Sequence, residues 1–214
     1  LVQDRNIGTQ KYAPCAVFIN GDFWGHYYLT ERFSPSYMEA YYHVNADNVT
    51  IVKDGTLLDG SETIYDAYNR LEAWLTSNDL SLAENYDYIC SKIDIESYID
   101  YYCTQIYCNN YDFSERKNSL VWRSNDADPS NPYADNRWRY ALTDLDYTLS
   151  SYGGANSYAT NSFTNPPPNA VVVQTEEPFF KALLANADFR QQFVTTFMDL
   201  ENENFAPERV REKM

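Results

Sequence analysis

Positive charge is scarce in this sequence. Sixteen Lys and Arg residues stand against 31 Asp and Glu residues, so the 214-residue chain has a formal net charge of −15. A protein that binds a nucleic-acid backbone needs a basic face, and docking on an anionic membrane surface has the same requirement. The composition therefore argues against both partners.

Long hydrophobic runs and the common nucleotide-binding and hydrolase motifs are also missing. No apolar run approaches the roughly 20 residues of a membrane-spanning helix, so we expect no membrane insertion here. G-x-G-x-x-G, the G-x-x-x-x-G-K-[ST] phosphate loop and a serine-triad signature are absent. There is no signal peptide, but the chain begins at Leu1 and stops at Met214 inside a predicted helix. We therefore expect a piece of a longer protein, and the compartment stays open.

Cysteine is sparse and poorly spaced for a joint role. Cys15, Cys90, Cys103 and Cys108 include no C-x-x-C pair, so no zinc site is predicted. Cys103 and Cys108 are five residues apart in a predicted helix, on different faces, which does not suit a disulfide. We expect free and mostly buried thiols.

The residues that are present favour a folded α+β protein. Apolar residues make up 44% of the chain, enough for a substantial core. A β-prone run, the turn Asn20-Gly21 and an aromatic-rich run predict a hairpin, and a further strand begins at Val49. Helices are predicted after the capping residues Ser34, Ser61 and Asp94. Strands come first and helices later, so alternating βαβ units are not expected.

The second half of the chain continues this pattern. Residues 151–169 are rich in Ser, Asn, Gly and Pro and predict a long loop. The tail from Pro178 to Phe205 returns to helices with an aromatic stripe that we expect to pack on the core. We expect one domain over residues 1–214, with a small β-containing part (1–60) and a mostly helical part (61–214).

A polar loop directly after the helix that Asp94 caps carries Asp112 and Asn118. Phosphoryl transfer needs a carboxylate that orients or accepts a hydroxyl proton, and an amide oxygen near a metal ion. Protein kinases place an Asp and an Asn at a similar spacing, one residue shorter than here. The alternative is that Asp112 and Asn118 are ordinary turn residues.

Asp144 and Asp146 end the predicted strand RWRYALTDLDY. At positions i and i+2 of a strand both carboxylates would point to one face, and oxygen ligands of this kind suit Mg²⁺. The alternative is a solvated acidic strand end. Glu31 closes the first hairpin and either pairs with a lysine or faces water, whereas Lys53 is expected at the surface.

Several stretches in this order resemble the spore-coat protein H (CotH) kinase-like family. The stretches are VFINGDFWGHYYLTERF, KIDIESYIDYYCTQIYCNNYDFSERKNSLVWR, RWRYALTDLDYTL and EEPFFKALLANADFRQQFVTTFMDLENENF. Together they span nearly the whole chain. The resemblance implies an atypical protein-kinase-like fold that uses ATP and Mg²⁺ to phosphorylate Ser or Thr of a protein substrate. It also implies a cell-surface, secreted or spore-coat location.

The resemblance assigns roles to individual residues. Asp112 matches the catalytic aspartate and Asn118 the asparagine that follows it. Asp144 and Asp146 match an Asp-x-Asp pair that ends a metal-binding β-hairpin, with Asp144 favoured as the principal ligand. Glu31 matches a glutamate that would pair with the phosphate-binding lysine. Thr143 stands where a Trp is common, and the family's upstream Arg-Gly segment and lysine are not in this chain.

Two other functions stay open at this point. A non-catalytic surface or adhesion module would use the aromatic-rich surface and the polar loop for a protein or glycan partner. A metal-dependent phosphoesterase would hydrolyse a nucleotide without an acceptor protein.

Overall fold

The computed structural model describes residues 1–149, 161, 163 and 177–213. The predicted loop 151–169 thus lies outside the described residues, apart from Asn161 and Phe163. The described part has a mixed α+β architecture, as the sequence predicts.

The strands form two separate sheets. β1 (Tyr12–Ile19) and β2 (Asp22–Thr30) make the predicted hairpin around Asn20 and Gly21. The second sheet contains β3 (Val49–Lys53), β4 (Thr56–Asp59), β5 (Ser119–Ser124) and β6 (Arg139–Leu142). Its order is β4-β3-β5-β6, and each neighbouring pair is antiparallel. Strands from both sides of residue 60 therefore share one sheet.

Helices occupy most of the remaining described chain. They are α1 (Pro35–Tyr42), α2 (Glu62–Ser77), α3 (Ala83–Cys90), α4 (Ile95–Tyr107), α5 (Pro178–Leu183), α6 (Ala187–Asp199) and α7 (Pro207–Lys213). The predicted caps are confirmed: Ser34, Ser61 and Asp94 each accept a backbone N–H bond from the residue three positions later. These bonds satisfy donors that have no partner within the helix. A π-helical turn, Leu200–Asn204, extends α6.

Helix α4 lies at the centre of the core. Tyr98, Tyr101 and Tyr102 have no exposed surface. Tyr98 stacks on Tyr102 at 4.5 Å between ring centroids, and Tyr102 stacks on Phe180 of α5 at 5.0 Å. The predicted aromatic stripe of α6 closes this layer, since Phe189 is fully buried. Helix α4 is thus held on several sides, and it fixes the loop that follows it.

The N-terminal segment lies beside β6. The N–H of Gly8 donates to the carbonyl of Tyr140 at 3.0 Å, and the N–H of Leu142 donates to the carbonyl of Gly8 at 2.8 Å. A Cβ atom at Gly8 would lie 2.6 Å from the Cβ of Ala141, which is too close. Glycine is needed here because the two backbones approach so closely.

All four thiols are free, as predicted, but only Cys103 and Cys108 are buried, whereas Cys15 and Cys90 are partly exposed. Among the described residues, no helix combines the length and apolar character needed to cross a bilayer.

Candidate functional site

The loop after α4 brings Asp112 and Asn118 together. The Nδ2 of Asn118 donates to the backbone carbonyl of Asp112 at 2.8 Å and to its Oδ2 at 3.2 Å. Asn110 supports the same loop, since its Oδ1 accepts the N–H of Asp112 at 3.0 Å. Asn118 has a positive φ of 53°, a conformation that Asn tolerates better than most residues. Asp112 and Asn118 therefore form a compact unit, and side-chain to backbone hydrogen bonds from Asn110 and Asn118 hold its backbone in place.

Lys117, which the sequence reasoning missed, pairs with this unit. Its Nζ contacts Oδ1 of Asp112, and both side chains are partly exposed. The ammonium group of Lys117 therefore forms an ion pair with the carboxylate of Asp112. The sequence offered only one indication of this contact, namely that Lys117 directly precedes Asn118. A lysine in a polar loop is commonly just a surface residue, so its position alone did not predict a pairing with Asp112.

Asp144 and Asp146 do not end a strand, and that part of the sequence prediction is wrong. β6 ends at Leu142, and Asp144 adopts a positive φ of 42° that interrupts the extended backbone. The expected metal-binding hairpin is therefore replaced by an acidic turn that follows the hairpin. The two carboxyls still meet: a hydrogen bond with Asp146 raises the pKa of Asp144, with burial and the charges of Asp146 and Asp112 adding to the shift.

The acidic turn lies alongside the loop that carries Asp112. The N–H of Tyr111 donates to the carbonyl of Tyr147 at 3.1 Å, and the N–H of Leu149 donates to the carbonyl of Cys108 at 2.8 Å. A longer contact of 3.4 Å joins Nδ2 of Asn110 to the carbonyl of Asp144. The loop acids and the turn acids thus lie on the same side of the molecule.

These side chains suit a hard cation in their chemistry but are not assembled around one. Within the ranges that the structure describes, no three Asp, Glu, His or Cys side chains are close enough to hold a metal ion. The donors are oxygen atoms, the type that Mg²⁺ prefers. A divalent cation between Asp144 and Asp146 would replace the hydrogen bond that raises the pKa of Asp144, so the pair fits such an ion once Asp144 is ionised.

A cleft of about 250 Å³ opens next to Asp144. Its lining residues are Gln10, Arg32, Phe33, Lys53, Leu58, Leu120, Thr143 and Asp144. Neither Arg32 nor Lys53 forms a salt bridge with a described residue. The buried hydroxyl of Thr143 has no hydrogen-bond partner there either. The cleft therefore places two uncompensated cations and a free hydroxyl beside an acidic turn.

Sequence reasoning did not identify this cleft. Lys53 was expected at the surface, and its side chain does remain exposed at the end of β3. It reaches the cleft because β3 pairs with β5, which places Lys53 opposite Leu120. The pairing of β3 with β5 joins residues far apart in the chain, and no local sequence pattern predicts it.

Glu31 has a supporting role in the contacts that the structure describes. Its Oε2 accepts the backbone N–H of Lys11 at 2.8 Å, and its Oε1 accepts the hydroxyl of Tyr41. The hydrogen bond from Tyr41 is the main reason that the pKa of Glu31 is lowered. Glu31 thereby ties the base of the first hairpin to α1, close in the chain to the cleft residue Arg32.

Glu115 anchors the loop that carries Asp112, and the sequence reasoning missed it as well. Its carboxyl accepts the hydroxyl of Tyr102 at 2.8 Å and the backbone N–H of Phe180, in the first turn of α5. In return, the backbone N–H of Glu115 donates to the carboxyl of Glu177, the residue that precedes α5. Burial raises the pKa of Glu115 to about 8. The loop is thus fastened to α4 and α5 by a half-buried acid.

Comparison with known proteins identifies the family of the chain. A family model described as CotH kinase protein matches residues 1–214, the whole chain. A search of curated proteins finds no match. The full-length match, on a mixed α+β chain whose loop acids and turn acids share one side, shows that the chain belongs to the CotH kinase family.

Proposed function

We propose that this chain catalyses phosphoryl transfer from Mg²⁺-bound ATP to a Ser or Thr hydroxyl of a protein substrate. Membership of a kinase-like family supports the reaction class. The observation that carries the proposal is the Asp112–Asn118 unit, held beside the Asp144–Asp146 turn at the edge of a cleft that contains Arg32 and Lys53.

Asp112 is the residue that would accept the proton of the attacking hydroxyl. Nδ2 of Asn118 keeps the carboxylate of Asp112 in place, and Lys117 forms an ion pair with that carboxylate. During transfer Lys117 is also placed to meet the charge on the migrating phosphoryl group, because its exposed ammonium lies at the same carboxylate. In this proposal the loop that carries Asp112 is responsible for proton transfer.

Asp144, Asp146 and Oδ1 of Asn118 are the groups that would hold Mg²⁺. Nδ2 of Asn118 is engaged by Asp112, so Oδ1 is the atom that this side chain offers to a cation. When bound, the ion would neutralise charge on the ATP phosphates. Because the hydrogen bond with Asp146 raises the pKa of Asp144, binding of the cation would compete with protonation of Asp144.

The cleft supplies contacts for the nucleotide. Arg32 and Lys53 are the cations available to its phosphates, and Phe33, Leu58 and Leu120 provide apolar walls. A volume of about 250 Å³ lies just below the usual range for ligand pockets. We therefore expect the cleft to enclose part of the nucleotide and leave the rest at its mouth. Glu31 contributes by fixing the segment that carries Arg32.

A thermal titration with ATP and Mg²⁺, combined with transfer of labelled phosphate, tests the proposal. Ligand at a hundredfold excess over Kd stabilises a protein by about 2.7 kcal/mol, so the melting temperature should rise with both components and less with either alone. Lys53→Gln should reduce the rise, whereas Lys213→Gln on exposed α7 should not. No rise and no transfer would refute it, and phosphate release without protein labelling would indicate a phosphoesterase instead.

A non-catalytic binding module is the second candidate, and the first hairpin favours it. Its exposed apolar side chains are Tyr12, Phe18, Ile19, Phe23, Trp24, Tyr27, Tyr28 and Leu29. Such a concentration of apolar surface is common where proteins meet partners. On this view Asp144→Asn would leave partner binding intact and nucleotide would change nothing, which separates the two candidates.

A further inference from the structure

A second cavity, of about 400 Å³, lies between α2, α3 and the far end of the β5–β6 pair. Its lining residues are Ala67, Arg70, Leu71, Trp74, Tyr88, Lys92, Arg123 and Trp138. We call this the basic aromatic pocket. It holds three cations and no carboxylate, although acids outnumber bases by 31 to 16 in the chain. The lining therefore departs sharply from the composition of the whole protein.

The three cations of the basic aromatic pocket have no ion-pair partner in the described part of the chain. Arg70, Lys92 and Arg123 make no salt bridge with any residue that the structure describes. The guanidinium of Arg123 donates from Nε to the carbonyl of Ser124 at 3.0 Å, and it is half-buried. Burial lowers the pKa of Arg123, although Asp135 and Asp126 oppose this shift. An anion in the pocket would compensate a charge that is costly to bury.

Aromatic rings form the other walls. The rings of Trp74 and Tyr88 lie 4.4 Å apart between centroids and are tilted by 51°. The ammonium of Lys92 lies 5.3 Å from the centroid of Tyr88, and the guanidinium carbon of Arg123 lies 5.9 Å from that of Trp138. Both cations are thus held over ring faces at cation–π distances. A flat apolar group could pack against these aromatic walls while its charge meets the cations.

We propose that the basic aromatic pocket binds a small aromatic anion, a planar ring that carries a carboxylate or phosphate group. The cavity volume falls within the range of small-molecule sites, and its few polar groups converge on apolar walls, as such sites do. Leu120 lines the cleft and lies three residues along β5 from Arg123, an odd spacing that puts the two side chains on opposite faces of the sheet, and no residue lines both the cleft and this pocket. The site is therefore distinct from the cleft at Asp144, and it does not depend on phosphoryl transfer.

Titration with phenyl phosphate, followed by NMR of the indole N–H groups, tests this site. The chain has four tryptophans, and the signals of Trp74 and Trp138 should shift while those of Trp24 and Trp122 stay in place. Inorganic phosphate supplies the charge without the ring, and benzyl alcohol supplies the ring without the charge. Both should bind at least roughly tenfold more weakly, because each loses one of the two contacts.

Variants separate this pocket from the cleft. Lys92→Gln and Arg123→Gln should each weaken phenyl phosphate binding roughly tenfold, the size of one charge-assisted contact. Lys53→Gln in the cleft and Lys213→Gln on α7 should leave it unchanged. Lys92→Gln keeps the test decisive if Arg123→Gln fails to fold. If phosphotyrosine with blocked termini binds more tightly than phenyl phosphate, the natural ligand is a protein side chain. If phenyl phosphate binds more tightly, the natural ligand is a free metabolite. Equal binding of inorganic phosphate, or unchanged affinity in both variants, would overturn the proposal.

Discussion

The two loops that carry the acids are built differently. The loop of residues 108–118 follows a largely buried helix. Three hydrogen-bonded side chains hold this loop in place, namely Asn110, Glu115, which bonds Tyr102, and Asn118. Phe113 within it has no exposed surface. The acidic turn of residues 143–149 is mostly exposed, and Asp144 there takes a left-handed backbone conformation.

This difference suggests a division of labour. A residue that transfers a proton must be positioned in advance, because a displacement of about 1 Å is costly to the rate. A metal ligand can instead adjust when the ion arrives, since the ion supplies the energy that orders it. The anchored loop would therefore carry the proton chemistry, and the exposed turn would become ordered on binding Mg²⁺.

The largest effect should come from Asp112→Asn. The substitution keeps the shape of the side chain but removes the proton acceptor, so kcat should fall by about 10² to 10⁴. The Mg²⁺-ATP melting shift should persist, because the metal ligands remain. Phosphate transfer and the thermal shift are measured on the same preparation, with Asp66→Asn on the exposed face of α2 as control. Full activity in Asp112→Asn would move the general base to another residue.

Replacement of an acid in the acidic turn should weaken the binding of Mg²⁺. Asp144→Asn should weaken Mg²⁺ binding by about tenfold or more, and Asp146→Asn somewhat less. Because hydrogen bonding with Asp146 raises the pKa of Asp144, Mg²⁺ competes with a proton, and its affinity for the native chain should increase as pH rises. Calorimetry at two pH values measures both effects. Equal affinity in native chain and variants would place the ion elsewhere.

Glu115→Gln probes how the anchored loop is fastened. The pKa of Glu115 is about 8 in the folded chain against an ordinary value of 4.5, so the folded state holds its proton more tightly. The resulting stabilisation is complete below pH 4.5 and is lost as pH rises towards 8. Native chain and variant should nearly match at pH 5, and the variant should be more stable near pH 8.5 by on the order of 4 kcal/mol.

Urea denaturation at the two pH values measures this difference, with Glu84→Gln on exposed α3 as control. Burial also raises the pKa of Glu177, so a smaller pH dependence should remain in the variant. A native chain whose stability does not change between pH 5 and pH 8.5 would show that Glu115 is ionised throughout.

Local patterns in the sequence predicted much of the fold. The caps at Ser34, Ser61 and Asp94 and the Asn20-Gly21 turn depend on contacts within a few residues, and all are confirmed. Helix α3 was not predicted, and its N-cap, Leu82, makes no capping side-chain hydrogen bond that would mark its start. The end of β6 was placed too late because an alternating pattern does not show that Asp144 turns left-handed.

Long-range pairing explains what the sequence could not predict about the site. Asp112 and Asn118 were identified because they share one short loop. Lys53 and Arg32 meet Asp144 only through the sheet and the packing of the N-terminal segment, which a single sequence does not reveal. Glu115 read as a polar loop residue, and its importance depends on α5, which is more than 60 residues away in the chain.

The smallest predicted effect concerns the packing of the acidic turn, and it directly tests the contrast between this turn and the anchored loop. Leu145 lies in the acidic turn and is 37% exposed, whereas Leu120 lies in β5 and is 1% exposed. Leu145→Ala should change the free energy of unfolding by less than about 0.5 kcal/mol, and the matched Leu120→Ala should cost about 2 to 5 kcal/mol. Urea denaturation without Mg²⁺ measures both. A cost above about 1 kcal/mol at Leu145 would mean that the turn is packed before any cation binds, and the proposed division of labour would then be wrong.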